Sequence, residues 1–367
     1  MNSLVSNGQE TVFKSVARMR RRRRVVLISL AIALMFMTVV GASVGALNLS
    51  FGPTLAILVQ PLGLDLPWPS DEGSSSILWG IRMPRVILGI LVGAVLSVSG
   101  AMMQGLFRNP LAEPGLIGVS SGAALAAAVV IVLGGRFIAT LPDGLRLFVL
   151  PLAAFTGGAI STYLVYRVSL QSGRLSVSTM LLAGIAFNAI GFAMLGMLQY
   201  VADDNELRGL TFWMLGSLGG ATWESLAVVA PLLMLPLIGC YWLARPLNCF
   251  LLGEVEAMHL GVPVQRVNRI AVLLVALGVG ATVAVSGMIA FLGLVVPHLI
   301  RLAVSPDHRI VLPGSALLGA VLLVAADAFA RVVVMPSELP VGIVTTLFGA
   351  PFFLVLLFKA RRMNIQP

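Results

Sequence analysis

Residues 82–107 read RMPRVILGILVGAVLSVSGAMMQGLF. Beyond Arg82 and Arg85 no charged side chain occurs until Arg108, so an apolar run from Val86 to Phe107 is closed by guanidinium groups at both ends. A bilayer core is crossed by roughly 20 mostly apolar residues in helical form, and in that solvent a helix satisfies its own backbone hydrogen bonds. The stretch is therefore predicted to be a membrane helix. The same ruler predicts about ten spans, near 25–47, 82–107, 115–134, 146–167, 176–200, 222–244, 268–286, 288–303, 310–333 and 340–358. The seventh and eighth nearly touch at Ser286-Gly287.

Composition agrees with this reading. Only 11% of the 367 residues are charged, where a soluble domain carries about a quarter, and mean hydropathy is +1.00. The expected fold class is an all-α integral membrane protein. Its expected organisation is an Arg-rich tail over 1–24, one transmembrane domain over 25–362 and a short end over 363–367. The apolar run 25–47 is about twice the length of a signal-peptide core and no Ala-x-Ala site closes it, so it reads as the first span.

The net charge of +9 suggests a polyanionic partner, but the basic residues sit at the ends of apolar segments, without a solvated basic face or an aromatic platform for nucleic acid. Counted by the positive-inside rule, one side holds 18 basic residues, including Arg20 to Arg24, and the other six: Arg82, Arg85, Arg136, Arg146, Arg208 and Arg331. Both termini are thus expected in the cytoplasm. The outer loops carry the acids Asp65, Asp71, Glu72, Asp203, Asp204 and Glu206, and a short extra helix is expected over 209–219.

The longest inner connection, about 245–268, is too polar to span and too patterned to be slack. Leu251, Leu252, Val255, Met258 and Leu260 are expected on one side of a short amphipathic helix ended by Gly261 and Pro263. Residues 93–100 (GAVLSVSG) match 280–287 (GATVAVSG) at five of eight positions, an echo of the kind that inverted repeats leave in transporters and that small-residue packing also produces.

No phosphate-binding loop, HExxH or GxSxG motif is present. His259, His298 and His308 are widely separated, and Cys240 and Cys249 lack metal-binding companions. Ionisable residues within the spans are few. Asp327 and Arg331, one turn apart, can pair. Ion-coupled secondary transport normally needs more intramembrane charge than this. The residues describe a transport subunit, without a catalytic site or metal of its own, moved through its inner loop by another polypeptide. A channel has the same composition.

Residues 82–122, extended by NPLAEPGLIGVSSG after Arg108, closely resemble the permeases of type II ABC importers for iron-siderophores, haem and cobalamin. So do FWMLGSLGGATW (212–223), LLGEVEAMHLGV (251–262), SGMIAFLGLVVPHLIRL (286–302), ADAFAR (326–331) and ELPVGIVTTLFGAPFFLVLL (338–357). The resemblance covers the chain after the Arg-rich tail. It implies a homodimer of ten-helix subunits in the bacterial inner membrane, with the pathway between the copies. Two ATPase subunits, which bind ATP and Mg, would sit below, and a periplasmic binding protein would dock above. By the same resemblance Arg82, Arg85 and Arg331 meet acids of the binding protein, and Leu252, Gly253, Glu254, Ala257, Leu260 and Gly261 sit in the ATPase groove. Asn109, Leu111, Val177 and Ser178 form the cytoplasmic gate, although valine at 177 replaces a small polar residue found in some relatives. GSLGGATW, together with the run from Phe107, resembles haem permeases most, with a ferric siderophore or cobalamin as the alternative cargo. Met102, Met103, Met194 and Met197 are candidate pathway residues or packing residues.

Overall fold

The computed structural model describes residues 2–45, 50–64, 66–68, 71–171 and 174–364. At the ten expected spans stand seven helices long and apolar enough to cross a bilayer and three shorter apolar ones. The helices are α1 (Asn2–Ser43), α2 (Phe51–Val59), α3 (Glu72–Ile77), α4 (Met83–Phe107), α5 (Val119–Leu133), α6 (Gly135–Ala139), α7 (Asp143–Val168) and α8 (Val177–Val201). They continue as α9 (Asp204–Met214), α10 (Trp223–Phe250), α11 (Glu254–His259), α12 (Val264–Ser286), α13 (Leu292–Ala303), α14 (His308–Ala330) and α15 (Val341–Asn364). Two short strands, β1 (Leu170–Gln171) and β2 (Arg174–Leu175), pair antiparallel between α7 and α8.

Helix α4 is the hub. Its window is 83% buried, against 11% for α1 and 22% for α7 and α8, so α4 is enclosed by protein while those three meet lipid or another subunit. It packs on α14, α10, α12 and α13. The contact with α13 is backbone to backbone: a Cβ on Gly100 would run into the carbonyl of Gly293. The Arg-rich segment and the first span form one helix from Asn2 to Ser43. The last residues predicted for that span, 46–47, lie outside the described residues.

The extra helix expected over 209–219 starts earlier, at Asp204. Asp203 and Glu206 close a capping box there, the Asp203 carboxylate accepting from Glu206 N–H at 2.8 Å and Glu206 accepting from Asp203 N–H at 3.0 Å. Acids read as loop charge are in fact a helix start. The echo between 93–100 and 280–287 does not carry over into equivalent geometry. Gly100 lies within α4, whereas Gly287 ends α12 at φ 66°, a left-handed position that suits glycine.

At the basic end a junction ties α1, α10 and α14. Arg23 pairs with Asp307, Asn248 Nδ2 donates to the same carboxylate at 2.7 Å, and Asn248 Oδ1 accepts from His308 N–H at 2.8 Å. Burial pushes the Asp307 carboxyl upward, but Asn248, the Arg309 N–H and Arg23 outweigh it and hold the group below its ordinary value. Stability from a depressed carboxylate is present above its unfolded pKa and lost as pH falls through the folded one. Asp307→Asn is therefore expected to lower Tm in detergent at pH 7, with the gap from wild type closing below about pH 4; a gap constant with pH refutes the charge contribution. Gly100→Val should cost about 1–3 kcal/mol by forcing α4 from α13, read as a drop in Tm, and an unchanged Tm would contradict the close crossing.

Candidate functional site

Two short helices begin inside the protein rather than at its surface. Helix α5 follows a 3-10 turn, Pro114–Ile117, and Gly118 at φ 81°. Helix α13 follows an irregular segment over 287–291 that ends with Phe291 at φ 69°. Helix α13 has 12 residues, about 18 Å at 1.5 Å per residue, too short to cross. The two starts pack together, Pro114 lying against Gly293. Irregular backbone at membrane depth is tolerated where protein buries it or it lines a cavity, and here both conditions hold.

Pro297 in α13 has no N–H to offer the carbonyl of Gly293. The buried side chain of Gln104 supplies the donor instead, with Nε2 at 3.2 Å from both Gly293 O and Leu294 O. Gln104 Oε1 accepts in turn from Arg301 Nη1. Sequence reasoning passed over Gln104, although Pro297 implies an orphan carbonyl somewhere nearby.

The paired starts face a cavity of about 660 Å3. Its depth follows from its lining. Leu96 lies 13 residues after Met83 on α4 and Asn188 lies 11 after Val177 on α8, roughly 20 and 16 Å along their helices. The walls include Phe192, Met214, Met288 and Leu347, with Glu113, Ser120 and Asn188 as polar groups. Asn188 is held by Ser121 Oγ, which donates to its Oδ1 at 2.6 Å, and by its own donation to Gly115 O at 3.0 Å. Glu113 lines the cavity next to Pro114, which packs on Gly293 in the first turn of α13. This acid lies in NPLAEPG yet sits at mid-depth, because the chain re-enters after α4; treating 108–114 as a connection hid it. Met214 and Met288 line the cavity, whereas Met102 and Met103 are fully buried core and Met197 is 72% exposed on α8.

The other end holds the three arginines expected to dock a partner, and each has partners within the chain. Helix α1 ends with carbonyls that lack helical donors. Arg82 Nη1 donates to Ala42 O (2.8 Å) and Ser43 O (2.6 Å), while Arg331 donates to Gly41 O (2.8 Å) and Val44 O (2.6 Å). Both are buried, at 5% and 4% exposure, and serve as a cap at the negative end of the α1 dipole. Arg331 also pairs with Asp327 at 3.1 Å, as their spacing predicts. Arg85 lies between Asp327 (2.9 Å) and Glu338 (2.8 Å), the latter side chain 47% exposed.

The inner connection is shorter as a helix than expected. Gly253 at φ 125° separates a turn at Leu251-Leu252 from the six-residue α11, so those two leucines precede the helix. Ala257 is fully buried, while Leu252, Val255, Met258 and Leu260 are 51–66% exposed. A firmly seated knob thus presents apolar side chains outward. Of the expected gate residues, Asn109 Oδ1 accepts from Leu111 N–H at 2.9 Å, Leu111 is exposed, Val177 packs against the core and Ser178 Oγ lies 3.3 Å from Ser176 Oγ. No hydrogen bond links the 109–111 pair to the 177–178 pair among the described residues. Cys240 and Cys249 are free thiols, and no cluster of three or more potential metal ligands occurs among the described residues.

Comparison with known proteins gives this architecture a family. The hemin transport system permease protein HmuU of Yersinia pestis is 44% identical over 345 residues, covering 94% of this chain and 98% of that protein. The vitamin B12 import system permease protein BtuC of Escherichia coli O9:H4 is 42% identical, covering 80% of this chain and 87% of the relative. A metal-chelate type ABC transporter solved in an inward-facing conformation superposes with a TM-score of 0.79 at 30% identity, covering 91% of this chain and 99% of that one. The FecCD transport family matches residues 30–359. The chain is a multi-pass membrane permease subunit and belongs to the FecCD transport family.

Proposed function

We propose that this chain is the permease subunit of an ATP-driven haem importer of the bacterial inner membrane. The observation that carries the reading is the 44% identity, over nearly the full length of both proteins, to a hemin permease. Two copies enclose the pathway, with the exposed face of α8, including Leu182, Ile185, Phe192 and Met197, turned to the partner. A mid-depth chamber with apolar walls and few polar groups suits a flat, amphipathic cargo. This chain binds no cofactor and has no catalytic site; ATP and Mg belong to the two ATPase subunits. Both termini and the 245–268 region face the cytoplasm.

Leu252, Gly253, Glu254, Ala257, Leu260 and Gly261 form the knob on which the ATPase pushes, since force needs a rigid lever and Ala257 anchors this one. A periplasmic haem-binding protein docks at the opposite end. There Arg85, reachable through the half-exposed Glu338, offers the charge, and Arg82 and Arg331 hold α1 beneath it. Asn109, Leu111, Val177 and Ser178 narrow the cytoplasmic exit.

Reconstitution with ATPase and binding protein should give ATP-dependent haem uptake that exceeds cobalamin uptake. Cobalamin uptake without haem uptake would favour the second reading, which rests on the 42% identity to vitamin B12 permeases. Leu252→Glu with Met258→Glu should weaken ATPase binding roughly tenfold or more at unchanged Tm, because both side chains are exposed; undiminished binding removes this surface from the coupling site. Haem carries two propionates, so Glu113 opposes its retention. Glu113→Gln is expected to raise haem affinity of the nucleotide-free transporter roughly tenfold, read by Soret titration, and to slow uptake. Equal affinity would place the cargo elsewhere.

A further inference from the structure

A second groove, of about 880 Å3, runs between α10 and α14 on the surface of the bundle. At its basic end stand Arg245 and Arg309, both exposed. They are neighbours by construction. Asn248, one turn after Arg245, bonds Asp307 and the N–H of His308, the two residues before Arg309. The nearby acid is already occupied, since Asp307 accepts from Arg23, Asn248 and the Arg309 backbone N–H. Among the described residues neither guanidinium has an ion-pair or hydrogen-bond partner, so two cations stand together without a counter-charge.

From that charged mouth the groove leads along the spans. Leu237 lies eight residues before Arg245, and Leu317 eight after Arg309, about 12 Å toward the hydrocarbon on each helix. The small Ala316 contributes to the lining, and Tyr241 and Trp242, 80% and 67% exposed, stand at the level where aromatic side chains favour the interface. An apolar slot that ends in two unneutralised guanidiniums has the chemistry of a lipid with a negative headgroup. A phosphate can accept from both arginines, the strong charge-assisted arrangement. A soluble acidic segment would leave the apolar length unused.

We propose that the α10–α14 groove is a binding site for an anionic phospholipid, its phosphate bridging Arg245 and Arg309 and one acyl chain lying along Leu237, Ala316 and Leu317. The site adjoins the Asn248–Asp307 junction, and α10 leads directly to Leu251 and the knob. A bound lipid thus braces the base of that element.

The test uses the full chain in phosphatidylcholine nanodiscs, with increasing brominated phosphatidylglycerol or brominated phosphatidylcholine quenching tryptophan fluorescence. Trp242→Phe identifies the Trp242 component. Brominated phosphatidylglycerol should quench that component at roughly tenfold lower mole fraction than the zwitterionic lipid. Arg245→Gln with Arg309→Gln should abolish the preference, and Arg309→Gln alone should cut it roughly threefold. Ala316→Phe, which leaves both arginines in place, should weaken quenching by both lipids. Equal quenching by the two lipids in the wild type, or a preference that survives the double substitution, overturns the site. Competition by inorganic phosphate at millimolar concentration would assign an ion site instead and also overturn it.

Discussion

A hydrocarbon solvent allows no orphan carbonyl, and the centre of this molecule is arranged around one. Pro297 removes the donor that Gly293 O would meet inside α13, at a depth where no bulk water substitutes. Gln104 reaches from α4 to make the missing bond, and α4 can come close enough because Gly100 and Gly293 carry no side chains at the crossing. One proline, one glutamine and two glycines thus allow a helix to begin inside the protein. That beginning, with the start of α5 packed against it, creates the chamber. An unbroken pair of spans would fill the same space with helix and leave no room for cargo.

Most of the fold was legible in the sequence because the bilayer imposes a single length on apolar runs. The ten apolar segments, the inner connection and the Asp327–Arg331 pair all follow from spacing. What escaped has a common cause: these features depend on which helices meet. Glu113 drew no attention because the re-entry after Arg108 is not a property of residues 108–114 alone; it requires Gly293 to receive Pro114. Gln104 looked like one polar residue in an apolar span. The start of α9 was written locally, in Asp203 and Glu206, but acidic residues near a span end also read as solvent-facing loop. Leu251 and Leu252 fitted a helical stripe with Val255 and Met258, and the left-handed Gly253 interrupts it.

The arginines at the far end show where charge counting succeeds and where it stops. Arg82, Arg85 and Arg331 stand against the positive-inside trend, which calls for a compensating partner. The compensation is internal. Arg82 and Arg331 meet the carbonyls of Gly41, Ala42, Ser43 and Val44, where α1 ends with unsatisfied acceptors and the negative end of its dipole. Arg85 meets two carboxylates. Breaking one partner from a buried ion cluster costs far more than an exposed pair contributes, so this end is locked by its own acids and carbonyls. Only Glu338 reaches solvent appreciably, and it is the member that an approaching protein can address without first opening the bundle.

The opposite end follows the reverse logic. There Asp307 neutralises Arg23 and holds three helices together, but Arg245 and Arg309 remain unmatched, and the α11 knob exposes apolar side chains beside them. The two ends therefore differ in how their cations are compensated. Cations capped from within fasten α1 to α4 and α14 at one end. Cations left open border the α11 knob at the other, and the chamber between them is framed by helix starts held through single side-chain bonds. The chamber wall contributed by Val279 and Val283 belongs to α12, the helix that follows the α11 knob directly in the chain.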